Sequence, residues 1–156
     1  MNAGKMLKGH DLFQSLTSED VARISAFSGV KSLQAGEKVY RCEDPASHAF
    51  VLLEGKVQLS LCESKRDVSI PVSKVDKGDL FGIAPLLGSE RYTTTAVCMK
   101  NASVLAIEAK PLMAVLKGYP EVDRGVMRAV AKAYFSRYIK TLDRLQTVLD
   151  EMLSEK

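Results

Sequence analysis

Lys77-Gly78-Asp79-Leu80-Phe81-Gly82-Ile83-Ala84-Pro85-Leu86-Leu87-Gly88-Ser89-Glu90-Arg91-Tyr92-Thr93-Thr94-Thr95-Ala96-Val97 is the stretch around which the chain is arranged. Lys77-Gly78-Asp79 is a turn signal, because glycine and aspartate tolerate the left-handed conformations that a tight reversal needs. A second glycine, Gly82, follows one apolar step. Pro85 then suits the first turn of a short helix, where its missing N–H is not needed. Gly88-Ser89 stops that helix. Tyr92 to Val97, rich in Thr and Val, reads as a strand. Glycine, short helix and strand in this order favour an anion site, since the first backbone N–H groups of a helix have no internal partner and point outward.

The same residues carry a family resemblance. Gly78, Asp79, Phe81, Gly82, Leu86, Leu87, Thr93 and Val97 resemble the phosphate-binding cassette of cyclic-nucleotide-binding domains, the effector half of catabolite-activator-like proteins and of protein-kinase regulatory subunits. The resemblance implies an antiparallel jelly roll with flanking helices and a cyclic nucleotide or other small anionic ligand. In the family cassette a Glu directly after the second glycine holds the ribose hydroxyl, and a later Arg pairs with the cyclic phosphate. An ungapped alignment puts Ile83 and Tyr92 in those two slots. Ile83 cannot accept from a hydroxyl, and Tyr92 supplies no charge. Loss of a buried hydroxyl's acceptor costs about 1–3 kcal/mol, and loss of a charged partner costs more. Cyclic AMP or GMP is therefore not expected to bind in the usual way. The ligand-binding residues expected by position are Phe81, Gly82, Ile83, Ala84, Pro85, Arg91, Tyr92, Thr93 and Thr94. Arg91, one residue before the phosphate slot, would bind an anion bidentately if loop slippage let it reach. The alternative for Arg91 is a solvated surface arginine, and for the threonines plain strand propensity.

Outward from the cassette, the chain reads as mainly β with flanking helices, about eight short strands spaced as in a barrel or sandwich, which the resemblance makes an antiparallel jelly-roll barrel. Residues 1–10 read as a loose N-terminal tail, 11–120 as the cyclic-nucleotide-binding-like domain and 121–156 as a dimerisation helix. Thr17 with Asp20 three residues later looks like a helix start, and Ser28-Gly29 like its end. Val30–Leu33 and Lys38–Tyr40 are strands about the turn Ala35-Gly36-Glu37. Glu43 stands where the resembled family normally has Gly. Phe50–Leu53 is a continuous apolar strand. Val57, Leu59 and Leu61 alternate with polar residues, as in a half-buried strand. Ser64-Lys65-Arg66-Asp67 reads as a charged hairpin tip. Val68, Ile70 and Val72 alternate again, and Pro71 among them demands an edge position or a bulge. Ser103–Ile107 is the last strand. Lys110–Lys117 is a short helix.

The final helix carries apolar residues at alternating spacings of four and three: Ala131, Phe135, Tyr138, Leu142, Leu145, Leu149 and Met152. That is the seam of a coiled coil, and it predicts a homodimer through the C-terminal helix, with parallel pairing favoured over antiparallel; the alternative is a helix that only folds back on its own barrel. A second apolar set, Val126, Val130, Tyr134, Ile139 and Val148, widens the surface, so that one face packs on the barrel while the other meets a partner. In the resembled family this helix closes over the ligand as a lid, which by position points to Ser136, Arg137 and Tyr138.

The 156 residues suit one domain, and 46% hydrophobic residues suffice for a core. A net charge of +3 without a basic block does not argue for nucleic acid. No helix-turn-helix follows the last helix, so no DNA is expected as a partner. No apolar run approaches a membrane span, and Met1–His10 lacks the apolar core of a signal peptide. Cytoplasmic localisation and no membrane are the expectations. Cys42, Cys62 and Cys98 are odd in number and widely spaced, which fits reduced thiols better than a disulfide framework or a zinc site. His10 and His48 form no metal-ligand cluster, and no catalytic constellation is evident, so the chain is not expected to be an enzyme and no resident metal or other cofactor is expected. Two functions stay open. One is a stand-alone regulatory, ligand-sensing module of signal transduction. The other is a ligand-free dimerisation or interaction scaffold with a degenerate pocket, possessing a downstream protein partner.

Overall fold

The computed structural model describes residues 2–62 and 69–155, so the stretch read as a charged hairpin tip, and Val68 after it, lie outside the described residues. Among the described residues there are eight strands: β1 (Ser28–Leu33), β2 (Lys38–Tyr40), β3 (His48–Glu54), β4 (Val57–Ser60), β5 (Pro71–Val75), β6 (Leu80–Phe81), β7 (Thr95–Cys98) and β8 (Ala102–Glu108). They form two four-stranded antiparallel sheets, ordered β1-β8-β3-β6 and β2-β7-β4-β5. This is the jelly-roll arrangement that the sequence implies, but with the sheets facing one another rather than joined into a closed barrel. The helices α1 (Ala3–Gly9), α2 (Ser18–Ala26), α3 (Ala109–Leu116) and α4 (Pro120–Ser154) lie outside them.

Two cores explain the strand patterns. Phe50 and Leu52 of β3 and Val104 and Ala106 of β8 point between the sheets, where they meet Tyr40, Val57, Leu59 and Phe81. Ala49 and Val51 of β3 and Leu105 and Ile107 of β8 point the other way, into a core shared with Phe13, Ile24, Leu112 and Val126. Side chains alternate faces along a strand. The central strands of the first sheet are covered on both faces, so they read as unbroken apolar runs. β5 lies at the edge of its sheet, with Pro71 as its first residue and a register shift opposite it. The missing proline donor thus breaks no ladder.

Several boundaries differ from the sequence reading. Residues 3–9 are a helix, not a loose tail: the Asn2 side chain caps it by accepting from the Gly4 N–H at 2.8 Å, and Leu7 is fully buried. Ala3, Met6 and Leu7 lie at helical spacing and pack on the helix-side core, which a short polar-looking segment concealed. Ser28 and Gly29 open β1 rather than ending α2, because β8 offers them partners at Ile107 and Ala106. β7 begins at Thr95 instead of Tyr92. Cys42 and Cys62, expected as separate thiols, are joined as a disulfide with Cα atoms 5.3 Å apart. β2 and β4 flank β7 on either side, which brings together two residues 20 apart in sequence. Cys98 is buried and free.

α4 has two parts. Val122, Val126 and Val130 are buried one turn apart against the domain. Its first turn is tied to α2, where the Tyr119 hydroxyl donates to the Asp20 carboxylate, whose pKa is lowered chiefly by that bond. Beyond Val130 the helix runs out along the surface, with the Arg144 guanidinium donating to the Pro71 carbonyl. At about 1.5 Å per residue, its 35 residues span roughly 50 Å. Leu7→Ala is expected to destabilise the protein by about 3 kcal/mol, as for other fully buried leucines. Urea unfolding measures this, and a change under about 0.5 kcal/mol would return residues 3–9 to the status of a loose tail.

Candidate functional site

The cassette turns on Gly82, which leaves β6 with φ of +62°. A β-carbon here would lie 2.7 Å from the Phe50 ring and 3.0 Å from the Tyr40 ring. Only glycine lets the chain pass so close to the aromatic rings and still turn. Ala84–Leu87 then form one 3-10 turn, which Gly88 closes in the left-handed conformation. Ile83, in the slot for a ribose-binding Glu, is 2% exposed and joins Leu86 in the helix-side core. Its side chain pins the turn to the body of the domain.

Tyr92, in the slot for the phosphate-binding Arg, is 4% exposed. Its ring stacks on Tyr40 with centroids 4.1 Å apart. Its hydroxyl donates to the His48 carbonyl at 2.7 Å and accepts from the His48 N–H at 3.2 Å. The one polar group of this side chain is therefore spent on the start of β3. Tyr40 also lies against Phe50 and Phe81, and its hydroxyl is 3.3 Å from the Thr94 hydroxyl. Thr95 Oγ1 accepts from the Cys42 N–H at 2.9 Å, while Thr93 is exposed.

What remains between these groups is a cavity of about 10 Å³, lined by Tyr40, Gly82, Ile83, Ala84, Tyr92, Thr93, Thr94, Tyr134 and Arg137. That is room for about one water molecule. Of the residues expected by position, Gly82, Ile83, Ala84, Tyr92, Thr93 and Thr94 meet around it. Phe81 and Pro85 are buried beside it without lining it. Arg91 stands apart: its Nη1 donates to the Glu43 carbonyl at 2.7 Å, and its backbone bridges Pro45. Arg137 reaches the cavity from α4, its guanidinium 5.1 Å from the centre of the Tyr134 ring. Its Nε is shielded from solvent and has no hydrogen-bond partner among the described residues. Tyr138 faces away, 58% exposed, with its ring near Phe135. Tyr40 and Tyr134 are the cavity residues that sequence reasoning missed. The position of Tyr134, three residues before Arg137 on one helical face, was the available signal.

A larger groove of about 730 Å³ runs on from Arg137 between α4 and the β5–β6 turn. Lys74, Lys77, Lys132 and Lys140 line it, together with Asp11, Asp76 and Asp79. Burial sets the electrostatics of the cassette itself. It pushes the Tyr40 phenol up to about 12 and the Tyr92 phenol in the same direction, and it pushes the His48 imidazole down.

The comparisons with known proteins agree with this geometry. The family model for the cyclic nucleotide-binding domain matches residues 30–119. The chain belongs to that family. A Geobacter metallireducens structure assigned as a cyclic nucleotide-binding protein is 28% identical, with a TM-score of 0.70 over 88% of this chain and 99% of that one. The sensor domain of the transcriptional regulator DNR from Pseudomonas aeruginosa, 18% identical, shares the fold with a TM-score of 0.72 over 86% of this chain and 89% of that one. A protein assigned as a potassium channel in Rhodopseudomonas palustris is 24% identical over 119 residues, which cover 76% of this chain. The matched region spans only 28% of that relative's length.

The raised Tyr40 pKa has a defined consequence. Below pH 10 the phenol is protonated in both folded and unfolded chains, so its contribution is intact there. It is lost as pH rises from about 10, the unfolded value, through about 12. Tyr40→Phe is expected to lessen the loss of stability between those pH values by about 2 kcal/mol, read from urea midpoints. Parallel pH profiles for the two proteins would contradict a buried phenol.

Proposed function

We propose that this chain is a regulatory domain that has kept the cyclic-nucleotide-binding fold but does not take cyclic AMP or GMP at its cassette, and that it acts as a homodimerisation module through α4. The observation that carries this reading is the closed cavity. Small-molecule sites commonly offer about 300–1,000 Å³, whereas about 10 Å³ is left here because Tyr40, Tyr92 and Ile83 fill the space. Opening it would unstack Tyr40 from Tyr92 and leave the Tyr92 hydroxyl bonds to His48 unmade. The family as a class is regulatory, and regulation without catalysis is the role adopted here.

The dimer rests on α4. Phe135, Tyr138, Leu142, Leu145, Leu149 and Met152 are 42–64% exposed along one seam. A contiguous apolar stripe of this length is unusual on a monomer and fits a parallel pairing of two such helices. Ala131 continues the seam toward the domain. Among the described residues no helix is long and apolar enough to cross a membrane. Cytoplasmic residence and a protein partner downstream remain part of the proposal.

A second reading keeps ligand sensing and has its own observation. The groove beyond Arg137 is large enough for a small anion, and its lining carries five cationic side chains against three carboxylates. A ligand there would act by favouring one setting of α4 over another. Arg91 would join such a site only by leaving Glu43.

Thermal unfolding with millimolar cyclic AMP or cyclic GMP tests the first reading. A ligand at about 100 times its dissociation constant adds roughly 2.7 kcal/mol, a shift of about 5–11 °C for a chain of this size. No shift is expected, and a reproducible rise with either nucleotide would overturn the closed cassette. For the dimer, sedimentation equilibrium should return twice the chain mass for the unaltered protein and a single chain mass for Leu145→Glu. A monomeric unaltered protein would remove the dimerisation role.

A further inference from the structure

Cys42, Glu43 and Cys62 form a cluster that the cassette does not use. Cys42 follows β2 and Cys62 follows β4, and the two meet over the start of β7, where Ser60 pairs with Thr95 and the Cys42 N–H donates to Thr95 Oγ1 at 2.9 Å. Between them stands Glu43. Both sulfurs and a Glu43 carboxylate oxygen lie within 4.8 Å of one another. Glu43 and Cys62 are exposed, so small reagents and ions reach the cluster from solvent.

Glu43 is held there at a cost. Among the described residues it alone, apart from glycines, has a positive φ, at 72°. Its N–H donates to the Tyr92 carbonyl at 2.9 Å, and its carbonyl accepts from Arg91 at 2.7 Å. Glycine would adopt this conformation without penalty. A strained backbone at a defined position is a reason to ask what its side chain does. A carboxylate beside two thiols opposes their ionisation unless a cation lies between the three groups. Two sulfurs and one oxygen within this span are the donors of a tetrahedral ion, at about 2.3 Å for sulfur and 2.0–2.2 Å for oxygen, with water in the fourth position.

We propose that Cys42, Cys62 and Glu43 form a thiol-gated site for a thiophilic divalent cation of the zinc class, which the dithiol form binds and the disulfide form excludes. Two equivalents of a small thiol reduce the Cys42–Cys62 bond by exchange. Two protein thiols and the reagent's own disulfide are the products, and two electrons pass to the protein. The sulfurs then separate, the cation binds, and two thiol protons are released to solvent. Either state ties the β2–β3 loop to the end of β4, and the Cys42 N–H bond to Thr95 Oγ1 joins that loop to the first residue of β7. Each therefore braces the segment that carries Tyr92, Thr93 and Thr94.

The test uses the full chain, prepared once fully reduced in the absence of oxygen and once oxidised with a small disulfide. Each form is titrated with Co²⁺ alone, followed by thiolate-to-cobalt charge-transfer absorption, and then with Zn²⁺ as competitor. The reduced chain is expected to saturate at one ion per chain and to release cobalt to zinc, and the oxidised chain to show no such band. Cys62→Ser should abolish the band, and Cys98→Ser should leave it unchanged. Glu43→Gln should keep it but weaken affinity by at least about tenfold, the least that losing even an outer partner costs a metal site. Glu43→Gly should weaken affinity equally without lowering the melting temperature, which separates a lost ligand from a damaged loop. A reduced chain without the band, a band that persists in Cys62→Ser, or equal binding by the oxidised chain would overturn the site. Unchanged affinity in Glu43→Gln would overturn the role of the carboxylate and the three-ligand site with it.

Discussion

The contact between Tyr40 and Tyr92 organises this molecule. Tyr40 ends a strand of one sheet, and Phe50 and Phe81 of the other sheet lie against it. Tyr92 completes the stack from the loop that returns to β7. A flat group of four rings has no room for a β-carbon at the point where the chain leaves β6, so that point is Gly82. The Tyr92 hydroxyl then has to be satisfied inside the protein, and the His48 backbone does this with both a donor and an acceptor. A buried hydroxyl with two good partners stabilises the closed form. Tyr40 and Tyr92 of this stack line the cassette cavity, where about 10 Å³ is left, and the proposed loss of nucleotide binding rests on that packing.

α4 shows the opposite balance. Its first turns bury three valines, so that part of the helix belongs to the core. Its remainder offers apolar side chains to solvent over several turns, and exposed area of that kind is stabilised only by a partner surface. Arg137 lies at the change from one regime to the other. It is the last α4 residue that reaches the cassette cavity, and it also opens the groove toward β5. Beyond Tyr134 and Arg137 the helix meets the domain mainly at β5.

The jelly roll was legible because its signals are local. Turn glycines, alternating strands and apolar runs at β3 and β8 each report the burial of a short segment, and together they specify which faces are covered. Pro71 was read as marking an edge or a bulge from its missing donor alone, and it stands at an edge beside a register shift. The cassette residues Gly82, Ile83, Ala84, Tyr92, Thr93 and Thr94, grouped in the sequence through the family resemblance, lie around one small cavity. Leu7 was less visible, since a seven-residue helix has too few apolar positions for periodicity to show. Arg91 was ambiguous for a different reason. In an irregular loop the direction of a side chain depends on its backbone partners, here Glu43 and Pro45, which are remote in sequence.

The sequence by itself determined the succession of short strands along the chain, the glycine turns and the apolar seam of α4, and its resemblance to the family showed a Glu and an Arg missing from two cassette slots. These follow from residue types at fixed spacing, where sterics and hydropathy act between near neighbours. Only the tertiary structure decided that the cavity is filled, because closure depends on Tyr40, Tyr92 and Tyr134 arriving from three separate elements. It also decided that Cys42 and Cys62 meet, since their proximity is created by β7 lying between two strands. Volumes and long-range contacts are properties of the packed chain, and no spacing along the sequence encodes how much space packing leaves.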